Sequence, residues 1–364
     1  MSSIHQFVAG FAKGDAISNA ALDMRDIFRS WGIDSRIFSE RQRILPELRK
    51  DAHDAAEFAT APDPEGIAIL HLSIGSAVND IFRRLPCRKV IVYHNITPSH
   101  FYRLIHGQTA RMLEWGQKQR DELAGVADIN LAVSRFNADE LRGAGYDKVD
   151  VLPLPLNLDR LTGSPDRGVQ RRYSDRSINI LSVGRCAPNK RIEDSLLAFD
   201  CFQKTVEPHS RFFHVGSYAG TEPYYHLLLS LTLKLDLRDV HFTGSVPQPQ
   251  LNAYYQVADI LLCMSEHEGF CVPLVEGMVH QLPIVAYAAG AVPETLAGSG
   301  VLFHTRDHAA IAESMGRLAH DPDLRSAVVA RQCARLKDYR ALDLEKLLHE
   351  HLDPLLKASS TFAT

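Results

Sequence analysis

The stretch ILLCMSEHEGFCVPLVEGM, residues 260–278, leads from an apolar run through a polar loop into a segment with helical spacing. A buried parallel strand is expected at Ile260–Cys263, and a helix is expected to follow with Pro273 at its first position. Aliphatic runs alternate with helical segments in this way from end to end. This alternation predicts an α/β protein with parallel sheets covered by helices.

Two such units are expected, because 364 residues exceed what one hydrophobic core usually organises. The predicted division is a first domain at 1–158, a polar linker at 159–177 and a second domain at 178–340. A last helix is expected at 341–364. Its leucines form one broad stripe, which predicts that it packs back against the first domain.

Composition excludes several classes of protein. The formal net charge of -4 favours neither nucleic-acid binding nor an acidic tail. The six cysteines contain no CxxC pair, which indicates a reducing compartment and no structural zinc site. No segment contains eighteen consecutive apolar residues. A cytoplasmic protein is therefore expected, touching at most the inner face of the membrane.

Two carboxylates, Glu268 and Glu276, flank the loop-to-helix turn around Pro273. The backbone N–H groups around Cys271–Leu274 would point to one place, and such a helix end binds phosphate. Carboxylates repel phosphate but accept hydrogen bonds from hydroxyl groups, so one could serve a sugar ring and the other a ribose. The alternative is that both simply stabilise the helix end.

Two cations follow the predicted strand that opens the second domain. Arg185 and Lys190 stand where the run ILSVG becomes a loop, and open α/β sheets bind ligands at such strand ends. The pair would neutralise a diphosphate whose charge grows during a reaction. Two solvated loop cations remain the alternative.

The first domain offers weaker candidates. Gly10 and Gly14 lie in the turn after the first strand, although the spacing is not that of a dinucleotide fingerprint. His94 follows the run KVIVY and His71 follows another strand, so both are expected at the carboxyl edge of the sheet. An ordinary turn and locally satisfied histidines remain open as alternatives.

An acidic pair, Asp321 and Asp323, has the spacing of a metal-binding motif. Because Pro322 stands between them before a helical pattern, the pair is interpreted as a helix cap and first-turn residue. No metal ligands are predicted elsewhere in the sequence.

In chain order, these segments resemble the retaining glycosyltransferases of family four, and the likeness covers nearly the whole chain. It is strongest in VGRCAPNKRIEDSLLAF, in the stretch from VHFTGSV to VEGM, and in LPIVAYAAGAVPETL. The resemblance implies a GT-B fold, with two Rossmann-like domains facing across a cleft. It also implies a cytoplasmic, metal-independent enzyme without a cofactor that moves a sugar from a nucleotide diphosphate-sugar, UDP- or GDP-linked, with retention by same-face attack.

The resemblance also assigns residues. Arg185 and Lys190 would hold the diphosphate, Glu268 the transferred sugar and Glu276 the ribose, while His94 would approach the donor sugar. The remaining implied donor contacts are Gly14, Asp15, Gly184, Gly244, Gly269, Phe270, Cys271 and Val272.

The chain departs from the family at Cys271 and Gln281, where glycine is usual, which bears on donor preference. The wording YHNITP and GDAISN is similar to a bacterial subgroup that builds surface polysaccharides and glycolipids, so a glycan or lipid-linked glycan acceptor is implied. A nucleotide-sugar epimerase, a phosphorylase and a non-catalytic nucleotide-sugar-binding subunit are the alternatives on the same architecture.

Metal independence leads to the first prediction. Dialysis against EDTA is expected to leave sugar transfer intact, because the two cations rather than a metal would neutralise the leaving group. Turnover measured before and after dialysis checks this, with a buffer-dialysed sample as the control. Complete loss that manganese or magnesium restores would contradict it.

Overall fold

Short aliphatic runs form the strands of two parallel sheets in the computed structural model, which describes residues 3–12, 14–156 and 158–360, without the side chains of 358–360. Two compact units result. The first comprises the described residues up to 100, 108–156 and those from 343 onward; the second comprises 101–107 and 158–342. Residues 1, 2, 13, 157 and 361–364 of the predicted domains lie outside the described residues.

The first unit is built on a seven-stranded sheet with every pairing parallel. Its strands are β1 (Ile4–Val8), β2 (Ile37–Ser39), β3 (Ala52–Asp54), β4 (Ile67–Leu72), β5 (Arg88–Tyr93), β6 (Ile129–Ala132) and β7 (Val149–Val151). Their order across the sheet is β3-β2-β1-β4-β5-β6-β7. The central strands β1 and β4 are buried throughout, because helices cover both faces of such a sheet.

Five helices connect these strands within the described residues. They are α1 (Ala16–Ser30), α2 (Ala55–Thr60), α3 (Ala77–Arg84), α4 (Gly107–Glu122) and α5 (Arg135–Gly143). Polar caps start several of them: Asp15, Ser76 and Ser134 each accept a backbone N–H of the following turn.

The second unit is also built on a parallel sheet, with six strands in the order β10-β9-β8-β11-β12-β13. These are β8 (Ile178–Val183), β9 (Ser210–Val215), β10 (Val240–Gly244), β11 (Ile260–Cys263), β12 (Ile284–Tyr287) and β13 (Val301–Phe303). Its helices are α6 (Arg167–Arg172), α7 (Ile192–Thr205), α8 (Glu222–Lys234), α9 (Gln248–Val257), α10 (Val272–Val279), α11 (Val292–Leu296), α12 (His308–His320) and α13 (Pro322–Arg340).

Each sheet has a point where the chain changes direction across it. In the first unit β1 lies beside β4, and in the second β8 lies beside β11. Loops leaving the carboxyl ends of two such neighbours diverge, which opens a crevice for ligands. The loops after β8 and β11 carry Lys190 and Glu268, so the topology itself gathers the predicted donor residues.

The last helix, α14 (Leu344–Ser360), belongs to the first unit, as the sequence predicted. Leu348, Leu352 and Leu355 of its leucine stripe are buried. Trp31 Nε1 donates to Glu345 Oε1 over 2.9 Å and fixes the helix to the end of α1. Among the described residues, none of the helices has the length and apolar content that crossing a bilayer requires.

The prediction of a linker at 159–177 is wrong, because this segment is part of the second unit. This segment contains α6 and packs on α9, where Asp166 N–H donates to Pro249 O and the Asn252 amide donates to Arg160 O. Leu161 and Tyr173 are buried anchors. Two isolated side chains and polar contacts hold the segment on the second unit. Because these contacts leave no periodic apolar pattern, the sequence did not predict its packing.

Helix α4 begins at Gly107, and residues 101–107 belong to the second unit, where Ile105 packs against the hydrophobic core. The helix cap at Asp321 is confirmed, since its carboxylate accepts the N–H groups of Asp323 and Leu324.

Packing of α14 leads to a prediction for Leu352→Ala. Its side chain is fully buried, so truncation is expected to cost about 2–5 kcal/mol of first-unit stability. Both tryptophans, Trp31 and Trp115, lie in the first unit, so tryptophan fluorescence during urea unfolding reports on that unit. Lys346→Ala, at an exposed position of α14, is the control and should change stability by less than about 0.5 kcal/mol. Equal midpoints for both variants would contradict the packing.

Candidate functional site

The centre of the site is a buried ion pair between the loops after β8 and β11. Lys190 Nζ lies 2.5 Å from Glu268 Oε1, and the two side chains are 20% and 9% exposed. Burial alone lowers the pKa of the Lys190 ammonium, but the Glu268 carboxylate and the nearby Cys271 sulfur outweigh that effect and raise it. Lys190 therefore keeps its positive charge at neutral pH.

Backbone contacts hold the Glu268 loop in place. Asn189 accepts the Glu266 N–H through its carbonyl oxygen over 2.8 Å, and its side-chain amide donates to His267 O. On the opposite side, Ala291 N–H donates to Glu268 O over 2.9 Å. Gly290 has a φ of +55°, and a Cβ there would lie 2.5 Å from Glu268 O, so this close approach requires glycine.

A second ionic group supports the same two loops. The buried carboxylate of Asp194 is paired with Arg191 at 2.7 Å and with Arg306 at 3.2 Å, and His308 Nε2 lies 3.0 Å away. Arg306 also pairs with Glu266 at 2.8 Å. Since Arg191 directly follows Lys190 and Glu266 lies two residues before Glu268, this group fixes both ends of the central pair.

The helix α10 starts differently from the expectation. Val272 is its first residue and Pro273 its second, and Cys271 caps it without a side-chain hydrogen bond. Pro273 has no N–H, and the Leu274 N–H donates to Cys271 O. The predicted set of converging N–H groups at Cys271–Leu274 is therefore reduced to those before Pro273.

Glu276 is the fifth residue of α10, in its second turn rather than its first as the sequence suggested. Its buried carboxylate accepts the Tyr255 hydroxyl over 2.7 Å. Burial raises the pKa of Glu276, while the Tyr255 hydrogen bond and the charge of Arg160 oppose the rise. Glu276 is thus an interior carboxylate and not a helix-end group. Sequence reasoning missed Tyr255 and Arg160, because neither lies near Glu276 along the chain.

Two cysteines stand beside the ion pair. Cys263 Sγ and Cys271 Sγ are 3.7 Å apart. A hydrogen bond from Cys271 lowers the pKa of Cys263 against the opposing effect of burial, and the same bond raises the pKa of Cys271. Cys271 has a φ of +71° and Gln281 one of +57°. Both residues therefore adopt left-handed conformations, which glycine accommodates at the lowest steric cost.

The other predicted residues of the second unit lie at strand ends and on the loop that carries Glu268. Gly184 directly follows β8, and Gly244 ends β10. Arg185 is exposed and donates from Nη2 to Ala219 O over 3.0 Å, so it does not join the buried pair. Gly269 and Phe270 complete the loop between Glu268 and Cys271.

In the first unit, His94 heads a buried hydrogen-bonded chain. His94 Nε2 lies 2.8 Å from His71 Nδ1, and His71 Nε2 lies 2.9 Å from Gln6 Oε1. The Gln6 amide nitrogen donates to Ala21 O, so its oxygen must accept. His71 then donates through Nε2 and accepts through Nδ1, and His94 presents Nδ1 as an acceptor. Gln6 is a residue that the sequence analysis did not single out.

Burial keeps both histidines neutral. It lowers the pKa of His71 to about 3, and burial together with His71 lowers the pKa of His94 well below its ordinary value. His94 is therefore suited to hydrogen bonding rather than to carrying a charge.

The turn after β1 forms a separate feature of the first unit. Gly14 has a φ of +78°, and Asp15 caps α1 by accepting Ser18 N–H over 2.8 Å. A cavity of about 290 Å³ opens where the loops after β1 and β4 diverge. Its lining residues are Ala9, Gly10, Phe11, Ala12, Asp15, Ile17, Arg43, Ser73 and Ile74.

The two parallel-sheet units together define the GT-B fold. Sucrose-phosphate synthase from Thermosynechococcus elongatus has a similar structure, with a TM-score of 0.76 and 16% identity over 98% of this chain and 100% of that chain. The Anabaena protein HepE in complex with UDP-glucose has a TM-score of 0.74 and 14% identity over 97% and 99%. At these identities the likeness concerns the fold.

Sequence comparison defines the second unit further. Residues 169–333 match the family model described as Glycosyl transferases group 1, and this range includes Lys190, Glu268 and Glu276. The D-inositol 3-phosphate glycosyltransferase of Frankia alni is 30% identical over 231 residues, 60% of this chain and 56% of that protein. The chain spans about half the length of the curated relatives it matches.

The histidine chain predicts a pH dependence of first-unit stability. A folded-state pKa near 3 against about 6.5 in the unfolded chain means that the unfolded state binds more protons between these values. Above pH 6.5 His71 is neutral in both states and does not lower the free energy of unfolding. Below pH 6.5, His71 alone is expected to lower the free energy of unfolding by about 1.4 kcal/mol per pH unit.

Urea unfolding followed by tryptophan fluorescence at pH 7, 6 and 5 measures this slope. His71→Gln should reduce the slope by about 1.4 kcal/mol per pH unit, whereas His53→Gln, at an exposed position, should leave it unchanged. An unchanged slope in His71→Gln would contradict the buried neutral histidine.

Proposed function

We propose that this chain is a retaining glycosyltransferase of family four that moves a sugar from a UDP- or GDP-sugar to a hydroxyl group of a glycan or glycolipid acceptor. One observation carries the proposal: a buried Lys190–Glu268 pair and a buried Glu276 flank the start of α10. They lie at the carboxyl edge of the second sheet, within the range that matches the Glycosyl transferases group 1 model.

The two residues of the central pair are proposed to bind different parts of the donor. Lys190 carries a positive charge that can move toward a diphosphate, and the exposed Arg185 adds a second cation with a planar fork. Glu268 is then left to accept hydrogen bonds from hydroxyl groups of the transferred sugar. Glu276, in the interior beside Tyr255 and Arg160, is proposed to accept those of the ribose.

Catalysis in this proposal is electrostatic. Charge develops on the leaving diphosphate, and preorganised cations with the backbone at the start of α10 stabilise it without a divalent metal or a cofactor. No side chain among the described residues of the central pair and its supports is assigned as a covalent nucleophile, so attack on the same face as the leaving group is proposed to give retention. In the first unit, His94 is proposed to approach the donor sugar, and Gly14 and Asp15 to contact the donor.

The neighbours support the nature of the donor. HepE was solved in complex with UDP-glucose and in complex with UDP and glucose, and other chains similar in structure also carry names of sugar-transferring enzymes. We further propose that the chain acts in bacterial surface polysaccharide synthesis at the cytoplasmic face of the membrane, on a lipid-linked or free glycan. The resemblance of YHNITP and GDAISN to that subgroup motivates this part.

The two glutamates give the test of this function. Glu276→Gln is expected to weaken binding of free UDP or GDP as well as of the full donor, because the ribose is common to both. Glu268→Gln should spare the free nucleotide and lower turnover. Losing a hydrogen bond to a charged group costs about 1.5–3 kcal/mol, roughly ten- to a hundredfold.

Calorimetry with UDP and GDP and kinetics with a panel of UDP- and GDP-sugars separate these effects. Glu313→Gln, at an exposed position of α12, is the matched control. Equal loss of nucleotide affinity in both variants would contradict the assignment of Glu268 to the sugar and Glu276 to the ribose. Isomerisation of the donor without an acceptor would indicate an epimerase, and binding without any turnover a non-catalytic subunit; either result would overturn the proposed transfer.

A further inference from the structure

A group of three metal-ligating side chains lies at the start of α10. Cys263, Glu268 and Cys271 each offer one ligand atom, and these atoms lie within 4.8 Å of one another. Cys263 ends β11, while Glu268 and Cys271 lie on the loop that follows, so one sheet edge supplies all three. The two cysteines lie eight residues apart rather than in a CxxC pair, so the sequence pattern predicts no zinc ligands here.

The distance between the sulfur atoms fits a shared metal ion. Two thiolates each about 2.3 Å from a tetrahedral zinc ion stand about 3.8 Å apart. The observed separation of Cys263 Sγ and Cys271 Sγ is 3.7 Å. The two sulfurs already have the spacing that zinc requires, and neither side chain has to move far to bind it.

The charges also fit. With both thiols protonated, the positive charge of Lys190 and the negative charge of Glu268 balance. Binding of one Zn²⁺ forms two zinc–sulfur bonds and releases two protons to solvent, so the total charge of this group stays the same. A dication therefore enters beside the buried Lys190 without leaving net charge in the interior.

The conformation of Cys271 is a separate observation. Its φ of +71° is one that residues with a side chain adopt rarely, yet a cysteine occupies it and points its sulfur at Cys263. Glycine would cap α10 without strain at this position. Because cysteine is strained in this conformation and glycine is not, its presence indicates that the thiol has a function.

We propose that Cys263, Cys271 and Glu268 form a binding site for Zn²⁺ with an open fourth position, and that the ion inhibits the protein. Three protein ligands leave one position for water, as in zinc sites that are not purely structural. The inhibition rests on the proposed function, because zinc on Glu268 occupies the carboxylate that would otherwise hold the transferred sugar. The binding itself does not depend on that function.

Cobalt provides a direct readout of binding. Titration of the reduced full-length chain with Co²⁺ is expected to produce thiolate-to-cobalt charge-transfer absorption that saturates at one equivalent, and Zn²⁺ should abolish it by displacement. Cys271→Gly and Cys263→Ser should weaken cobalt binding by more than about a hundredfold, because loss of even an outer-shell partner costs 10–100-fold. Cys333→Ser, outside the group, is the matched control and should titrate like the wild type.

The glycine variant keeps the test independent of folding, since glycine suits the left-handed backbone at position 271. Absence of the absorption in the wild type, or an unchanged titration in Cys271→Gly, would overturn the site. A disulfide between the two cysteines in place of metal binding would also overturn it.

Kinetics then test the inhibition separately. Donor turnover of the wild type should fall with added Zn²⁺ and recover with EDTA, while Cys271→Gly should resist zinc relative to its own metal-free rate. Cobalt absorption in a chain that turns over no nucleotide-sugar would leave the metal site standing and contradict the proposed function. Turnover that saturating Zn²⁺ does not affect would contradict the inhibition.

Discussion

The ion pair between Lys190 and Glu268 is the interaction on which the rest of the site depends. It joins the loops that leave β8 and β11, the two strands between which the second sheet changes direction. Two charges buried this deeply are tolerated only because each compensates the other. Without a ligand the pair is satisfied internally, and a diphosphate and a sugar would each take over one half of it. Both charged groups that the proposed reaction requires are therefore already in position before the donor binds.

The surrounding structure serves to keep this pair in position. Asp194 connects Arg191, which directly follows Lys190, to Arg306, which pairs with Glu266 on the loop after β11. Gly290 brings the backbone against Glu268. Glu276 is fixed independently by Tyr255, so the two glutamates belong to different supports. Their separate anchoring is the structural basis for assigning them different parts of a donor. Together with Glu268, the thiols of Cys263 and Cys271 form the proposed zinc site, and a bound zinc ion would compete with the sugar for this carboxylate.

Much of this could be predicted from the sequence, and the exceptions have physical causes. Periodicity predicted both parallel sheets, and the strand Ile260–Cys263 has the predicted bounds. The strand β3 has no recognisable sequence pattern, because it is a three-residue edge strand with one buried side chain. Segment 159–177 was taken for a linker because isolated contacts hold it rather than an apolar face.

For the site, residues adjacent along the chain were predictable and partners distant in sequence were not. Lys190, Glu268 and Glu276 follow strand ends or a loop-to-helix turn, which the pattern reveals. Tyr255, Arg160, Gln6 and the thiol pair meet their partners only through the folded topology. The left-handed backbone at Cys271 likewise depends on the loop as a whole, and local sequence spacing does not reveal it.

The most direct test of the account is the affinity of Lys190→Gln for UDP and GDP, measured by calorimetry alongside the nucleosides uridine and guanosine. If Lys190 provides the positive charge for the diphosphate, the variant should bind UDP or GDP about ten- to a hundredfold more weakly, with nucleoside binding unchanged. Thermal unfolding of the variant confirms that it remains folded. Undiminished affinity for both nucleotide diphosphates in folded Lys190→Gln would contradict the central role of the ion pair.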